Sequence, residues 1–217
     1  YAMLILAYQY FENYDPSIFQ KLAKLFRKTA LEVCDGQQLD VDFETRNDVT
    51  IPEYIRMISL KTSVLIGAAL KMGAIVGNAS SEDAQKLYDF GLNLGIAFQL
   101  QDDYLDTFGD PKTFGKQIGG DIIENKKTYL YLKAIELASS EDCQILVQLF
   151  NQKLEDNNSK ITTVKQIFET NGIPELIKNQ IHIYTNTAFS ILETMKISDT
   201  SKKGLKEFGV GLMNRIV

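Results

Sequence analysis

Residues 84–108 read AQKLYDFGLNLGIAFQLQDDYLDTF, and this stretch decides the fold of the chain. Its large apolar residues recur at spacings of three and four, which is the repeat of an α-helix with one buried face. They are Leu87, Phe90, Leu94, Phe98, Leu105 and Phe108. The pattern predicts a long core helix that ends in the acidic sequence DDYLD.

The acidic sequence brings three carboxylates together near the end of that helix. Asp102 and Asp106 are one turn apart and share a face, and Asp103 extends this face toward Gln99. Carboxylates in such a cluster repel one another and lose hydration if the site is closed, so a divalent cation would relieve them. Because only oxygen ligands are at hand, Mg²⁺ is expected rather than zinc. The alternative is an acidic helix end that lies in solvent.

Lys61 lies in a second helical pattern, residues 54–76, which leaves little polar surface on any side. An ammonium group in a core helix needs an anion, and the neighbouring hydroxyl of Thr62 adds a polar group at the same place. The alternative is that the Lys61 side chain extends along its methylene groups to the surface.

Two further lysines follow the acidic cluster. A glycine-rich loop after Phe108 carries Lys116, and Lys126 precedes the next apolar helical pattern. Each lysine taken singly is typical of a solvated surface. Together they indicate a cationic segment beside the predicted metal site.

The rest of the sequence indicates helices and no sheet. Helix starts are predicted at Thr50, Ser80 and Thr163, a helix break at Gly172, and a mobile loop at residues 156–160, which read DNNSK. No alternation long enough for a strand is present. We therefore predict one all-α domain.

Composition narrows the classes of function. The 217 residues carry a net charge of −5, which disfavours a nucleic-acid partner. The most apolar run, residues 63–77, is short and contains Lys71, so no stable membrane insertion is expected. Cys34 and Cys143 show no metal-ligand spacing and are typical of reduced thiols, which predicts a cytoplasmic protein.

Several motifs, taken in order, resemble the polyprenyl synthetase family, the trans-isoprenyl diphosphate synthases. The stretch from Gly91 to Asp106 resembles the second aspartate-rich motif of this family, with Phe98 and Gln99 before the first aspartate. The other matching residues are Gly36 to Asp40, the Lys61–Thr62 pair, and Lys116 and Lys126 with Asp121 between them.

The resemblance implies an all-α, single helical bundle of the isoprenoid synthase type. It implies condensation of isopentenyl diphosphate with an allylic diphosphate to give a longer trans-polyprenyl diphosphate. The implied roles are Mg²⁺ binding by Asp102, Asp103 and Asp106, catalysis by Lys61, Thr62 and Gln99, and substrate binding by Phe98, Lys116 and Lys126. The family also implies a homodimer, and the aromatic residues Tyr8, Tyr10, Phe11 and Tyr14 are expected in the core or at that interface.

One family feature is missing from the sequence. Residues 1–60 contain no Asp-Asp pair, so the first aspartate-rich motif and the arginine pair that follows it are absent. We therefore expect residues 1–217 to form a polyprenyl synthetase domain whose N-terminal part and first helices are lacking. The chain by itself is expected to be weakly active or inactive.

Two alternatives to the transferase remain open. One is a terpene cyclase-like lyase of the same fold, but the Phe98–Gln99 and Lys61–Thr62 pairs favour the transferase. The other is a non-catalytic helical subunit, which the missing first motif favours. A helical pyrophosphohydrolase is disfavoured because no pair of ExxE glutamate motifs stands out.

Overall fold

The computed structural model describes residues 2–110, 118–152 and 157–213, and within these ranges every regular element is helical. The helices are α1 (Ala2–Ala7), α2 (Pro16–Thr45), α3 (Ile51–Ile58), α4 (Val64–Val76), α5 (Ser81–Phe108), α6 (Gly120–Ile123), α7 (Tyr129–Leu137), α8 (Ser140–Phe150), α9 (Asn157–Thr170), α10 (Ile173–Glu193) and α11 (Asp199–Met213). A 3₁₀ turn, Tyr8–Phe11, follows α1, and a π-helical segment, Ser59–Ser63, joins α3 to α4. The predicted all-α fold is confirmed.

Helix α5 lies at the centre of the bundle. It packs along α4 on one side and α10 on the other. Its apolar residues Phe90, Leu94 and Leu105 are fully buried, as the helical periodicity predicts. The helix begins after Ser80, whose hydroxyl accepts the amide proton of Asp83 at 3.0 Å. The predicted core helix and its start are therefore confirmed.

Buried apolar residues form two clusters along α5. The larger cluster surrounds Leu100 and draws on α7, α9 and α10 through residues such as Leu130 and Phe168. The smaller cluster surrounds Phe90 and includes Ala188 and Leu192 of α10. Both ends of α5 are fixed in this way, so its acidic C-terminal turns are held in a defined position.

Other predicted boundaries were partly right. Thr50 and Glu53 form the predicted capping box of α3, and Gly172 adopts a left-handed φ of 67° between α9 and α10. The predicted start at Thr163 is wrong, since α9 begins at Asn157. The Thr163 hydroxyl instead donates to the Ser159 carbonyl oxygen one turn back, at 2.9 Å.

The continuous helical stretch Ile51–Val76 is long and apolar enough to cross a membrane when judged by length and composition alone; it is the sole such stretch within the described ranges. This is weak support for a membrane span, because the core helix of a bundle has the same composition. The stretch packs between α2 and α5, as a core helix does.

Candidate functional site

A cavity of about 260 Å³ opens where the end of α2, the α3–π segment, α5 and the residues after α6 meet. Its apolar floor includes Phe43, Met57 and Ile58. Charged side chains from four parts of the chain line the rest: Asp40, Glu44, Lys61, Asp102, Asp103, Asp121, Lys126 and Lys127. The cavity therefore combines an acidic cluster with three lysines over an apolar floor, which is an arrangement suited to an anion held together with a cation.

The π-helical segment carries Lys61 into this cavity. A π turn widens the helix by one residue and is often found at functional sites. Two neighbouring helices approach it closely, because a methyl group at Gly36 would lie 2.3 Å from the Lys61 backbone nitrogen and one at Gly95 would lie 2.7 Å from the Ser63 Cα atom. The backbone of residues 60–63 is thus held between α2 and α5 at positions that only glycine allows.

Lys61 forms an ion pair with a carboxylate of the same chain. Its Nζ atom lies 2.5 Å from Oδ2 of Asp40, and both side chains are partly exposed to the cavity. The sequence predicted the need for an anion but did not identify Asp40, which lies 21 positions earlier on α2. The ion pair aims the Lys61 ammonium group into the cavity.

Thr62 connects the π segment to α5. Its hydroxyl donates to Oε1 of Gln99 at 3.4 Å, and the Gln99 side chain also bonds to Asp103 one turn further along α5. Gln99 lines the cavity. Thr62 is not among the lining residues, and its hydrogen bond orients the Gln99 side chain. Phe98 lies partly buried on α5 and is not among the residues that line this cavity.

Asp102 and Asp103 both line the cavity, but their surroundings differ. Asp102 is partly exposed, whereas Asp103 is buried and accepts a hydrogen bond from the hydroxyl of the buried Tyr54. Burial raises the pKa of Asp103 well above its ordinary value, and the nearby charge of Asp121 raises it further, against the opposing effect of the Tyr54 hydrogen bond. The two adjacent carboxylates therefore differ in burial and in hydrogen bonding.

Asp106 lies one turn beyond Asp102 and contacts the segment that follows. Its Oδ2 atom accepts the backbone NH of Asp121 at 3.0 Å, and its backbone oxygen accepts the NH of Gly119 at 2.6 Å. Burial and the charge of Asp121 raise the pKa of Asp106 to about 6. Asp121 is thus a fourth carboxylate of this site.

Replacing Asp106 by asparagine is expected to stabilise the cation-free chain at pH 7. The pKa of Asp106 is raised from 3.8 to about 6 on folding, so the folded state binds more protons in that window and stability declines as the pH rises through it. Above the window the neutral amide removes a penalty of roughly 1 kcal/mol, after discounting for partial exposure. The amide oxygen can still accept the Asp121 NH.

Urea unfolding of the parent and of Asp106→Asn, in EDTA at pH 7 and at pH 4, measures the expected gain in stability. The gain should shrink toward zero at the lower pH, where the unfolded carboxyl is also partly protonated. Neither Asp106 nor Asp89 is among the residues that line the cavity, and Asp89→Asn, in an earlier turn of the same helix, is the control. An equal gain at both pH values would contradict the assignment of the effect to the Asp106 charge.

Of the two downstream lysines carried over from the resemblance, Lys126 lines the cavity, and Lys116 lies outside the described residues. Lys126 Nζ lies 3.0 Å from Asp121 Oδ1 and 2.9 Å from Glu124 Oε2. Burial opposes its charge, but the hydrogen bond of Glu124 and the charge of Asp121 outweigh burial and raise the pKa of Lys126. This side chain stays cationic throughout the neutral range.

Lys127 has a different position from its neighbour. Its Nζ donates to the carbonyl oxygens of Phe43 at 3.0 Å, of Glu44 at 3.3 Å and of Arg46. These are carbonyl groups at the C-terminal end of α2, which lack partners inside their own helix. Lys127 therefore fixes the end of α2 at the edge of the cavity.

The donor set of the site suits Mg²⁺. The acidic groups offer carboxylate oxygens, and burial together with the charge of Asp121 raises the pKa of Asp106, an effect that a bound cation would oppose. Over the described ranges, no three side chains of the aspartate, glutamate, histidine or cysteine type converge closely enough to hold a metal ion alone. Mg²⁺ ordinarily takes one or two protein carboxylates and completes its shell with water and phosphate oxygens. The residues therefore fit an ion that is bound together with a phosphate ligand.

Sequence reasoning assigned no role to several residues of the site, among them Asp40, Tyr54 and Asp121. Asp40 and Asp121 stood inside matched motifs, at the end of the Gly-Gln stretch and between the two lysines, so their motif membership was an available signal. Tyr54 gave no signal, because a tyrosine at the start of an apolar helix is typical of core packing.

Comparison with known proteins shows which family this chain resembles in sequence. The family model for polyprenyl synthetases matches residues 1–169. The chain is 36% identical over 187 residues to the short chain isoprenyl diphosphate synthase of Methanothermobacter thermautotrophicus, and it is 35% identical over 196 residues to the geranylgeranyl diphosphate synthase of Saccharolobus solfataricus. The alignments cover 86% and 88% of this chain, and 57% and 58% of those proteins.

Solved structures show the same fold. A crystal structure of a geranylgeranyl pyrophosphate synthase superposes with a TM-score of 0.93 at 51% identity, covering 99% of this chain and 66% of that one. The geranylgeranyl pyrophosphate synthetase of Pyrococcus horikoshii Ot3 superposes with a TM-score of 0.84 at 30% identity, covering 92% and 60% of the two chains. The chain thus spans about three fifths of the length of these relatives, and it belongs to the polyprenyl synthetase family.

Proposed function

We propose that this protein is a prenyltransferase that condenses isopentenyl diphosphate with an allylic diphosphate to make a longer trans-polyprenyl diphosphate. The observation that supports the proposal most strongly is that Asp102, Asp103, Lys61 and Lys126 line the same cavity. A diphosphate needs cations on several sides, and a prenyl chain needs an apolar surface. The cavity provides lysines, carboxylates that can hold Mg²⁺, and an apolar floor.

The proposed roles follow from the position of each side chain. Lys61 and Lys126 bind diphosphate oxygens. Lys61 is paired with Asp40 and Lys126 with Asp121, and each carboxylate fixes the orientation of its lysine side chain. We propose the same role for Lys116. In this role the lysines stabilise the negative charge that grows on the diphosphate as the bond to the allylic carbon breaks.

Asp102, Asp103 and Asp106 are the proposed holders of Mg²⁺. When bound, the ion supplies positive charge that stabilises the departing diphosphate. Asp121 contacts both Asp106, through its backbone NH, and Lys126, through its carboxylate, so it links the acidic cluster to this lysine. This coupling sets the position of the carboxylates relative to the lysine.

Gln99 and Thr62 are the proposed groups beside the reacting carbons. Because the Thr62 hydroxyl donates to the Gln99 carbonyl oxygen, the Gln99 amide has a fixed orientation in the cavity. A fixed amide dipole stabilises a carbocation without attacking it, whereas a free water would quench it. Phe98 is proposed to lie against isopentenyl diphosphate.

The test is an assay with Mg²⁺, radiolabelled isopentenyl diphosphate and either dimethylallyl or geranyl diphosphate. It compares the 217-residue chain with a chain extended upstream in the parent gene. We expect labelled prenyl diphosphate from the extended chain and little or none from the 217 residues. Cyclic hydrocarbon formed without isopentenyl diphosphate would indicate a lyase, and diphosphate binding without any turnover would indicate a non-catalytic subunit; either result would overturn the proposal.

We also propose that the protein is a cytoplasmic homodimer. Cys34 and Cys143 are both free, in agreement with a reducing compartment. Helix α1 buries none of its own residues, and it leaves Met3 and Ile5 exposed at 84% and 70%. An apolar helix with so much exposed surface is typical of an interface, and a second copy is the partner that the family resemblance implies.

An Ile5→Lys substitution is expected to weaken this dimer at least about tenfold, because it places a charge in an apolar interface. Sedimentation velocity at micromolar concentrations should show a shift from dimer to monomer. Leu137→Lys, at an apolar position on α7 that is 52% exposed, is the control and should leave the dimer intact. A monomeric parent chain, or equal effects of both substitutions, would contradict the proposed interface.

A further inference from the structure

Lys160 is a buried lysine remote in sequence from every motif of the site. It lies in the first turn of α9, and only 2% of its surface is exposed. Its Nζ atom donates to Oδ1 of Asn125 and lies 5.2 Å from the centre of the Phe150 ring. Burial lowers the pKa of Lys160. Removing an ammonium group from water is unfavourable, so packing alone does not account for a lysine here.

Asn125, the acceptor of this hydrogen bond, forms the turn that leads to Lys126. It has a left-handed φ of 59°, a conformation that an asparagine tolerates better than most residues. Within the turn, the NH of Lys126 donates to the Asp121 carbonyl oxygen at 2.9 Å. The turn thereby brings the Lys126 side chain to the Asp121 carboxylate at 3.0 Å.

The next residue of α9 contacts the other end of the same segment. A methyl group at Gly119 would lie 2.8 Å from side-chain carbons of Ile161, so this glycine packs directly against α9. Gly119 in turn donates its NH to the Asp106 carbonyl oxygen at 2.6 Å. Adjacent residues of α9 therefore hold both ends of the short helix α6, at Gly119 through packing and at Asn125 through a hydrogen bond.

Helix α6 cannot hold this position by itself. It has four residues, and helices of this length are marginal without tertiary contacts. Its one buried side chain, Ile122, anchors the middle of the helix but does not define the Asn125 turn. A directional hydrogen bond from a buried donor defines a turn more closely than apolar contact does.

We propose that Lys160 is a positioning residue that fixes the Asn125 turn and thereby sets where Lys126 and Asp121 lie relative to Asp106. The structural part of this inference is independent of the reaction. Its consequence for diphosphate binding rests on the proposed function. Lys160 bonds to Asn125 and is not among the residues that line the cavity.

Two substitutions remove the bond from opposite sides. Lys160→Met keeps the length and apolar packing of the side chain, and Asn125→Gly keeps the left-handed turn while removing the acceptor. Lys203→Met, at an exposed lysine of α11, is the control for loss of a lysine. Should Lys160→Met fail to fold, Asn125→Gly alone decides the question.

Hydrogen exchange of the metal-free, ligand-free chain provides the first readout. The amides of Gly119, Asp121, Ile123 and Lys126 are all hydrogen-bonded and report on the segment. Both substitutions should speed their exchange about tenfold or more, while the amides of α4 and the urea midpoint change little. Unchanged exchange at these amides, or an equal rise throughout the chain, would overturn the positioning role.

Calorimetric binding of inorganic pyrophosphate with Mg²⁺ to the chain extended upstream, taken as the parent here, and to its variants provides the second readout. Both substitutions should weaken binding by a similar factor of about five to ten, and Lys203→Met should not weaken it. Faster exchange with unchanged binding would refute the link between the turn and the ligand. Lack of binding by the parent chain would count against the proposed function, while the exchange result would still decide the role of Lys160.

Discussion

An Asp102→Ala variant is expected to lose about a thousandfold or more of its prenyl transfer activity. The Asp102 carboxylate lies partly exposed in the cavity, in the acidic cluster proposed to hold Mg²⁺. Without this carboxylate, the acidic cluster would lose a group that would hold Mg²⁺, whose positive charge would stabilise the departing diphosphate. The lysines alone cannot replace that charge, because Lys61 and Lys126 are each shared with an acidic partner.

The measurement is single-turnover formation of labelled product at saturating substrate, in the extended chain that shows turnover. Asp89→Ala, on the same helix but outside the cavity, is the matched control and should retain full activity. Alanine favours the helix, so both variants should unfold at the urea concentration of the parent or above it. If Asp102→Ala retained normal turnover, the metal-binding role of the cluster would have to be abandoned.

Gly36→Ala is expected to destabilise the protein by about 3 kcal/mol. A methyl group at this position would lie 2.3 Å from the backbone nitrogen of Lys61 and 2.7 Å from the carbonyl carbon of Leu60. Backbone atoms cannot rotate away as a flexible side chain can, so α2 and the π segment must separate. The separation would also lengthen the Lys61–Asp40 ion pair.

Gly73→Ala is the matched control, because it makes the same chemical change in a helix. No atom lies within 4 Å of a methyl group added there, so the substitution is expected to stabilise the protein by about 0.5–1 kcal/mol. Urea unfolding of the two variants measures the difference directly. Opposite signs are expected, and a Gly36→Ala protein as stable as the parent would show that α2 does not approach the π segment as described.

Local sequence determined the helical framework. The three-and-four spacing of apolar residues gave α5, and capping residues gave the starts of α3 and α5, because these signals act within one or two turns. The same rules failed for α9. Residues 157–160 belong to a polar sequence, DNNSK, that predicts a mobile loop, yet they form the first turn of α9, and Lys160 is buried. Burial against α6 and Phe150 overrides the local preference there.

In the candidate site, too, some features could be predicted from the sequence and others could not. Asp102, Lys61, Gln99 and Lys126 were predicted as functional residues from the sequence, and their roles remain predictions, although the structure places all four in one cavity. The long-range bonds in and around the site could not be predicted from spacing. The bond of Lys61 to Asp40 spans 21 positions, that of Tyr54 to Asp103 spans 49, and that of Asn125 to Lys160 spans 35.

By itself, then, the sequence determined that the chain forms an all-α bundle of the polyprenyl synthetase family, and it determined which residues carry the acidic and basic groups. Tertiary structure alone decided which carboxylate holds which lysine, that Asp103 is buried under Tyr54, and that α9 supports the segment before Lys126. The physical reason is that helix periodicity is a property of neighbouring residues. The meeting of two charged groups depends on where helices cross, which is set by packing between residues far apart in the chain.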